Sequence, residues 1–122
     1  MTDMRLGLVE ARFADIIWKH APLTTKTLVE LCGKELNWKR TTTYTVLKKL
    51  CDRGIFDMKD HVITVLISKE DFCAMQSEHF VEQTFRGSLP AFLAAFTSRK
   101  TPSAEELEEI KKLLDSLGEA AQ

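Results

Sequence analysis

The sequence predicts a mostly α-helical protein with a small β-hairpin, built as an N-terminal domain of three helices and a hairpin followed by a C-terminal helical region. Three observations predict it. Apolar residues recur at helical spacing along most of the 122-residue chain. Between about residues 55 and 67 that periodicity gives way to two short runs, the second rich in β-branched residues. Charge also divides the chain: residues 1–69 hold 12 Lys and Arg against 8 Asp and Glu, net +4, whereas residues 70–122 hold 5 against 10, net −5.

The elements follow in order. In residues 8–20, Val9, Phe13, Ile16 and Ile17 fall on one face of a helix, and Ala21-Pro22 ends it, because the residue before proline is pushed out of the α region. Thr24 or Thr25 can cap a second helix carrying Leu28, Leu31 and Cys32, with a turn over Gly33 to Trp38 in which Leu36 and Trp38 return to the core. A third helix spans about residues 40–53 and is stopped by Gly54. Residues 55–58 and 61–67 read as two strands joined by a tight turn at Lys59-Asp60. Ser68-Lys-Glu-Asp71 resembles a capping box and opens a long helix through Phe72, Met75, Phe80 and Thr84, broken by Gly87-Ser88. A short helix follows, with Pro90 in its first turn and Leu89, Phe92, Leu93 and Phe96 apolar. A second capping box, Ser103-Ala-Glu-Glu106, opens a last helix that Gly118 stops.

Composition narrows the function classes. Hydrophobic residues at 44% and charged residues at 29% are a globular balance, and the apolar runs are too short to span a bilayer. The first eight residues carry Asp3 and Arg5 and no apolar core of a signal peptide, so a cytoplasmic protein is expected. Cys32, Cys51 and Cys73 are odd in number and unpaired in spacing, which suits reduced thiols, with Cys73 expected buried or half-buried.

The chemistry concentrates in the third helix, Arg40-Thr-Thr-Thr-Tyr-Thr-Val-Leu-Lys-Lys-Leu50. Threonine is a mediocre helix former, because its branched β-carbon restricts χ1 and its hydroxyl competes for backbone groups. On a helical wheel Val46, Leu47 and Leu50 lie within about 60° of Thr43, so that side is buried. Thr41, Thr45, Lys48 and Asp52 point the opposite way, with Thr42 and Lys49 on one flank and Tyr44 on the other. Short hydroxyl side chains let a helix approach base edges, and the threonine methyl can meet a thymine methyl. Lys39, Arg40, Lys48 and Lys49 can take phosphates, and the free N–H groups at the helix start favour anions. Three helices with the third as reader is the helix-turn-helix layout, and the hairpin adds a wing. The plainer reading is that Thr43 is only core-facing and that Thr41 or Thr42 is only an N-cap.

The ordered set of Leu6-x-x-x-Glu-x-x-Phe-x-x-Ile-Ile-Trp18, Leu23-Thr24, Trp38, Thr41-Thr-Thr-Tyr-Thr-Val-Leu-Lys-Lys-Leu50 and Arg53-Gly54 resembles the penicillinase repressor (BlaI/MecI) family of winged-helix transcriptional repressors. Phe85-Arg-Gly-Ser-Leu-Pro-Ala91 and Ser103-Ala-Glu-Glu-Leu-Glu-Glu-Ile-Lys-Lys-Leu-Leu-Asp115 resemble its C-terminal dimerisation region, so the likeness covers about residues 6–117. The resemblance implies a homodimer that binds a palindromic double-stranded DNA operator, with Thr41, Thr42, Tyr44 and Thr45 as reading positions and Lys48 near the backbone. It also implies a regulatory protease for members acting in β-lactam resistance, which are cut at an Asn-Phe bond; the matching pair here is Ala95-Phe96. Copper-responsive relatives carry paired cysteines near the C-terminus, and this chain has none after Cys73.

Other constellations carry less. His20, His61 and His79 lack a metal-binding spacing, and no phosphate-binding loop or nucleophile elbow is present, so neither metal nor cofactor is expected. His61 in the wing can approach a phosphate, although an exposed histidine at a strand end is the plainer reading. The Glu105–Glu109 cluster lies in the first turns of a capped helix, where negative charge is favoured, which argues against a carboxylate-pair enzyme. The expected organisation is a DNA-binding domain over residues 1–69 and a dimerisation region over 70–122. In the latter Phe80, Leu89, Phe92, Phe96, Leu107, Ile110, Leu114 and Leu117 form an apolar set too large for these helices to bury alone. The alternative is a winged-helix protein-interaction module without DNA binding.

Overall fold

The structure is a computed structural model and describes residues 5–121. The chain divides into two compact units, the first running to His79 and the second from Phe80 onward. Among the described residues the elements are α1 (Leu8–His20), β1 (Leu23–Thr24), α2 (Thr25–Leu36), α3 (Arg40–Asp52), β2 (Phe56–Lys59), β3 (Val62–Val65), α4 (Lys69–Phe85), α5 (Leu89–Arg99) and α6 (Ala104–Ala121). The fold is therefore mostly helical with a small antiparallel sheet, a winged helix-turn-helix followed by further helices.

The first unit is built on one apolar core. Phe13, Ala14, Ile16 and Ile17 of α1, Leu28 and Cys32 of α2, Leu47 and Leu50 of α3, and Ile55, Phe56 and Ile63 around the sheet are all buried. Val9 departs from the sequence expectation: it lies one turn ahead of Phe13, at the margin of the core, and is exposed. Two tryptophans seal the edges. Trp38 stacks on Phe13 with ring centroids 5.3 Å apart. Trp18 packs against Phe56 and Phe72, and its indole N–H donates to the Ile67 carbonyl at 3.0 Å. Phe72, in the first turn of α4, is thus a core residue of the first unit.

Three boundaries differ from the sequence reading. α2 does not turn at Gly33 but runs to Leu36. Asn37 in the left-handed region (φ 56°) closes it, and the Trp38 N–H returns to the Cys32 carbonyl. Asparagine supplies that conformation without glycine. The wing turn is Asp60-His61 rather than Lys59-Asp60, because Lys59 pairs with Val62. Both turn residues have positive φ, 53° and 64°, as a two-residue hairpin of this twist requires, and Asp and His tolerate that region better than Lys. α6 runs through Gly118 to Ala121, since glycine within a helix weakens it without ending it and the following Glu-Ala-Ala favours helix.

The sheet has a third strand that no periodicity in the sequence marks. β1 pairs with β3, Leu23 opposite Ile63 and Thr24 opposite Val62, so the sheet has the order β1-β3-β2. The first N–H of α2, on Thr25, donates to the His61 carbonyl at 2.9 Å, and the Thr24 hydroxyl caps the Thr27 N–H. The wing tip is therefore fastened to the start of α2. Gly54, at φ 80°, turns the chain from α3 into β2, its N–H donating to the Cys51 carbonyl.

In the second unit the rings of Phe80, Phe85, Phe92 and Phe96 touch in sequence, with centroids 5.7–6.1 Å apart. Ser88 caps α5 through the Ala91 N–H. Ser103 and Glu106 complete a reciprocal capping box at α6.

Candidate nucleic-acid interface

α3 begins with the Lys39 backbone as its cap, not with a threonine hydroxyl. The threonines are used otherwise. Thr43 is buried, and its hydroxyl donates to the Lys39 carbonyl at 3.1 Å. Thr45 is exposed, and its hydroxyl donates to the Thr41 carbonyl at 2.9 Å. Such back-bonding lets a polar side chain lie flat on the helix without an unsatisfied hydrogen. Thr41, Thr42, Thr45, Lys39, Arg40 and Lys48 are exposed, and Tyr44 is half-buried beneath the Arg40 guanidinium, 5.5 Å from its ring centroid. The wheel's assignment of buried and outward sides matches these positions.

Lys49 stands apart from the other cations. Its ammonium lies 3.1 Å from Glu10 Oε2 on α1, and Arg53 approaches the same oxygen at 3.9 Å. Glu10 Oε1 in turn accepts the Gly7 N–H at the start of α1. Burial alone would raise the Glu10 carboxyl, but the Gly7 N–H, Lys49 and Arg53 outweigh it and hold the group below its ordinary value. Lys49 therefore ties α3 to α1.

Beside α3, a groove of about 380 Å³ opens between α2, α3 and the wing turn. Lys26, Glu30, Arg40, Tyr44 and His61 line it together with apolar Val29. Sequence reasoning did not single out Lys26; the available signal was a cation in the first turn of a helix, where the dipole disfavours it. His61 lies in the turn itself and is exposed, not at a strand end.

The cysteines do not form a site. Burial pushes the Cys32 thiol up to about 11, with the Thr43 hydroxyl opposing and Glu35 adding to the rise. Burial also raises Cys51, as do Asp57 and Asp52. Cys73 is exposed, contrary to the expectation of a buried or half-buried thiol, because it follows Phe72 onto the outer side of α4. Among the described residues no three His, Cys, Asp or Glu side chains cluster as metal ligands, and no helix is long and apolar enough to cross a membrane.

The second candidate surface is apolar. No residue of α5 or α6 is buried. Phe80, Leu89, Phe96, Leu107, Leu114 and Leu117 are 42–53% exposed, while Phe92 and Ile110 are partly covered. Leu113, which the sequence reading left out, is 59% exposed beside Leu114.

Comparison with known proteins places the chain among repressors. The chain is 24% identical over 110 residues to a penicillinase repressor of Bacillus licheniformis, covering 87% of this chain and 86% of that protein. It is 24% identical over 114 residues to the methicillin resistance regulatory protein MecI of Staphylococcus aureus, covering 90% and 93% of the two chains. The Staphylococcus epidermidis protein of the same name is 23% identical over an equal length. The family pattern described as penicillinase repressor matches residues 6–116, nearly the whole chain, and the protein belongs to that family.

Proposed function

We propose that the protein is a dimeric, sequence-specific transcriptional repressor that occupies a palindromic operator in the cytoplasm. The observation that carries this reading is the outer face of α3: short hydroxyl side chains at Thr41, Thr42 and Thr45, flanked by Lys39, Arg40 and Lys48, all exposed on a helix whose opposite side is the core. Such a face can come close to base edges while the cations meet phosphates. The exposed apolar residues of α5 and α6 support the second half of the proposal, because helices that bury none of their leucines alone need a partner, here a second copy. Two reading helices then address half-sites about 10–10.5 base pairs apart, or a multiple of that.

Footprinting of the full chain on the region upstream of its own gene tests the proposal, with a protected palindrome as the expected result. On that site Thr45→Ala should weaken binding by about 1–3 kcal/mol and spare random DNA. Equal losses on both would remove base reading from α3. No salt-dependent shift of any duplex would leave the protein-interaction reading in its place.

A further inference from the structure

One carboxylate joins three pieces of the first unit. Glu10 lies in the first turn of α1, and its Oε1 accepts the Gly7 N–H at 3.1 Å. That bond ties the carboxylate to the backbone at the start of α1. Its Oε2 is closed off from solvent and faces the Lys49 ammonium at 3.1 Å and the Arg53 guanidinium at 3.9 Å. Lys49 and Arg53 stand one helical turn apart at the C-terminal end of α3, so that turn is drawn to a single oxygen. Arg53 also donates to the Arg5 carbonyl at 3.0 Å, which brings the chain ahead of α1 into the same cluster. An ordinary surface pair holds two long side chains loosely. Here a backbone N–H orients the anion and two cations share it, so the pairing has a direction.

The core grips α3 through Thr43, Leu47 and Leu50, none of which carries a charge. Apolar burial is non-directional and tolerates small changes of tilt. From Thr41 to Lys49 the helix advances about 12 Å along its axis. A tilt of about 5° at the Lys49 end therefore displaces the Thr41 end by about 1 Å, more than a hydrogen bond to a base edge absorbs. We propose that Glu10 is a positioning residue for DNA recognition: by holding Lys49 and Arg53 against the start of α1 it fixes the tilt of α3, and with it the preference for operator over random sequence, without touching DNA. The inference rests on the repressor reading and adds to it a residue outside α3. Contacts to phosphates alone survive such a tilt, because long cationic side chains follow the backbone. Loss of Glu10 therefore acts in two directions. Base reading weakens, while the lost negative charge and the released Lys49 favour any duplex.

The test follows the anisotropy of two fluorescent duplexes of equal length with the full chain, well below the unfolding temperature of each variant. One duplex carries the palindrome protected upstream of the gene, and the other is of random sequence. Glu10→Gln should lower the ratio of the two affinities by about tenfold, the worth of one base contact, with binding to the random duplex unchanged or tighter. Lys49→Gln should lower the ratio to a similar extent, and Lys49→Arg, which keeps the pair, should retain it. The double variant Glu10→Gln/Lys49→Gln should have a ratio no lower than either single variant, since both remove one interaction. An unchanged ratio in Glu10→Gln overturns the proposal. So do equal losses on both duplexes, which mean only less folded protein, and equal gains on both, which mean that Glu10 merely repels DNA. A lowered ratio in Lys49→Gln but not in Glu10→Gln makes Lys49 a DNA contact and also overturns it. A wild type that does not distinguish the two duplexes removes the repressor reading itself, and is seen before any variant is compared.

Discussion

Lys48 and Lys49 are neighbours in sequence but face different partners. Lys48 looks outward from α3, whereas Lys49 is held by Glu10. Lys48→Ala should therefore lower the salt slope of DNA binding by about 0.9 per subunit, and Lys49→Ala should leave the slope nearly intact. The exposed ion pair lost with Lys49 should instead cost about 0.2–1 kcal/mol of folding stability. Titration against salt and urea unfolding of both variants separate the two effects. Glu10 adds a pH dependence of known sign. Its folded carboxyl is held below the ordinary value, so its contribution is present above the unfolded pKa, about 4.3, and fades as pH falls through the lower folded value. Glu10→Gln should lower stability at neutral pH and flatten its decline in acid, as urea unfolding across that range would show. The wheel set Lys48 outward and Lys49 on a flank of α3, but nothing in the sequence gave Lys49 its partner. That partner, Glu10, is 39 positions away in the chain and one helix across in space.

At the scale of elements, local chemistry made the helices legible wherever a cap or a stop acts alone. Ser88, Ser103 and Gly54 do what their residue types lead one to expect. The misreadings fall where two local preferences compete. Gly33 and Gly118 suggested stops, yet each helix continues because the next residues favour helix and, for α2, Asn37 provides a better terminus four residues on. β1 was illegible for a different reason: two residues have no periodicity, and only pairing with β3 makes Leu23-Thr24 a strand. Thr24 consequently serves twice, as a strand residue opposite Val62 and as the cap of α2. Thr24→Ala should cost about 0.5–2 kcal/mol, measured by thermal unfolding. Thr24→Asp, which keeps a capping oxygen, should recover most of that loss.

For the whole molecule, the position of Phe72 decides where the chain can be divided. A fragment ending at Ser68 loses a buried ring that closes the core against Trp18, a change on the order of 3–5 kcal/mol for this type of residue, whereas a fragment ending at His79 keeps it. Residues 1–79 should accordingly be folded, monomeric and weak in DNA binding, and residues 1–68 markedly less stable; sedimentation and thermal unfolding of the two fragments distinguish them. A dimeric 1–79 fragment would move the proposed subunit interface away from α5 and α6. The apolar excess of the C-terminal region was legible as composition, but which residues remain uncovered was not, because Phe92 and Ile110 are partly shielded while Leu113 is open. The fastening of the wing to α2 has a consequence for observation. The Thr25 amide belongs to the first turn of a helix, where N–H groups have no intrahelical acceptor and exchange freely with solvent. Here its acceptor is the His61 carbonyl, 36 positions later in the chain. Its hydrogen exchanges only when the wing lifts, so the deuterium uptake of this one amide is a clock for wing opening, readable in the free protein and again on DNA.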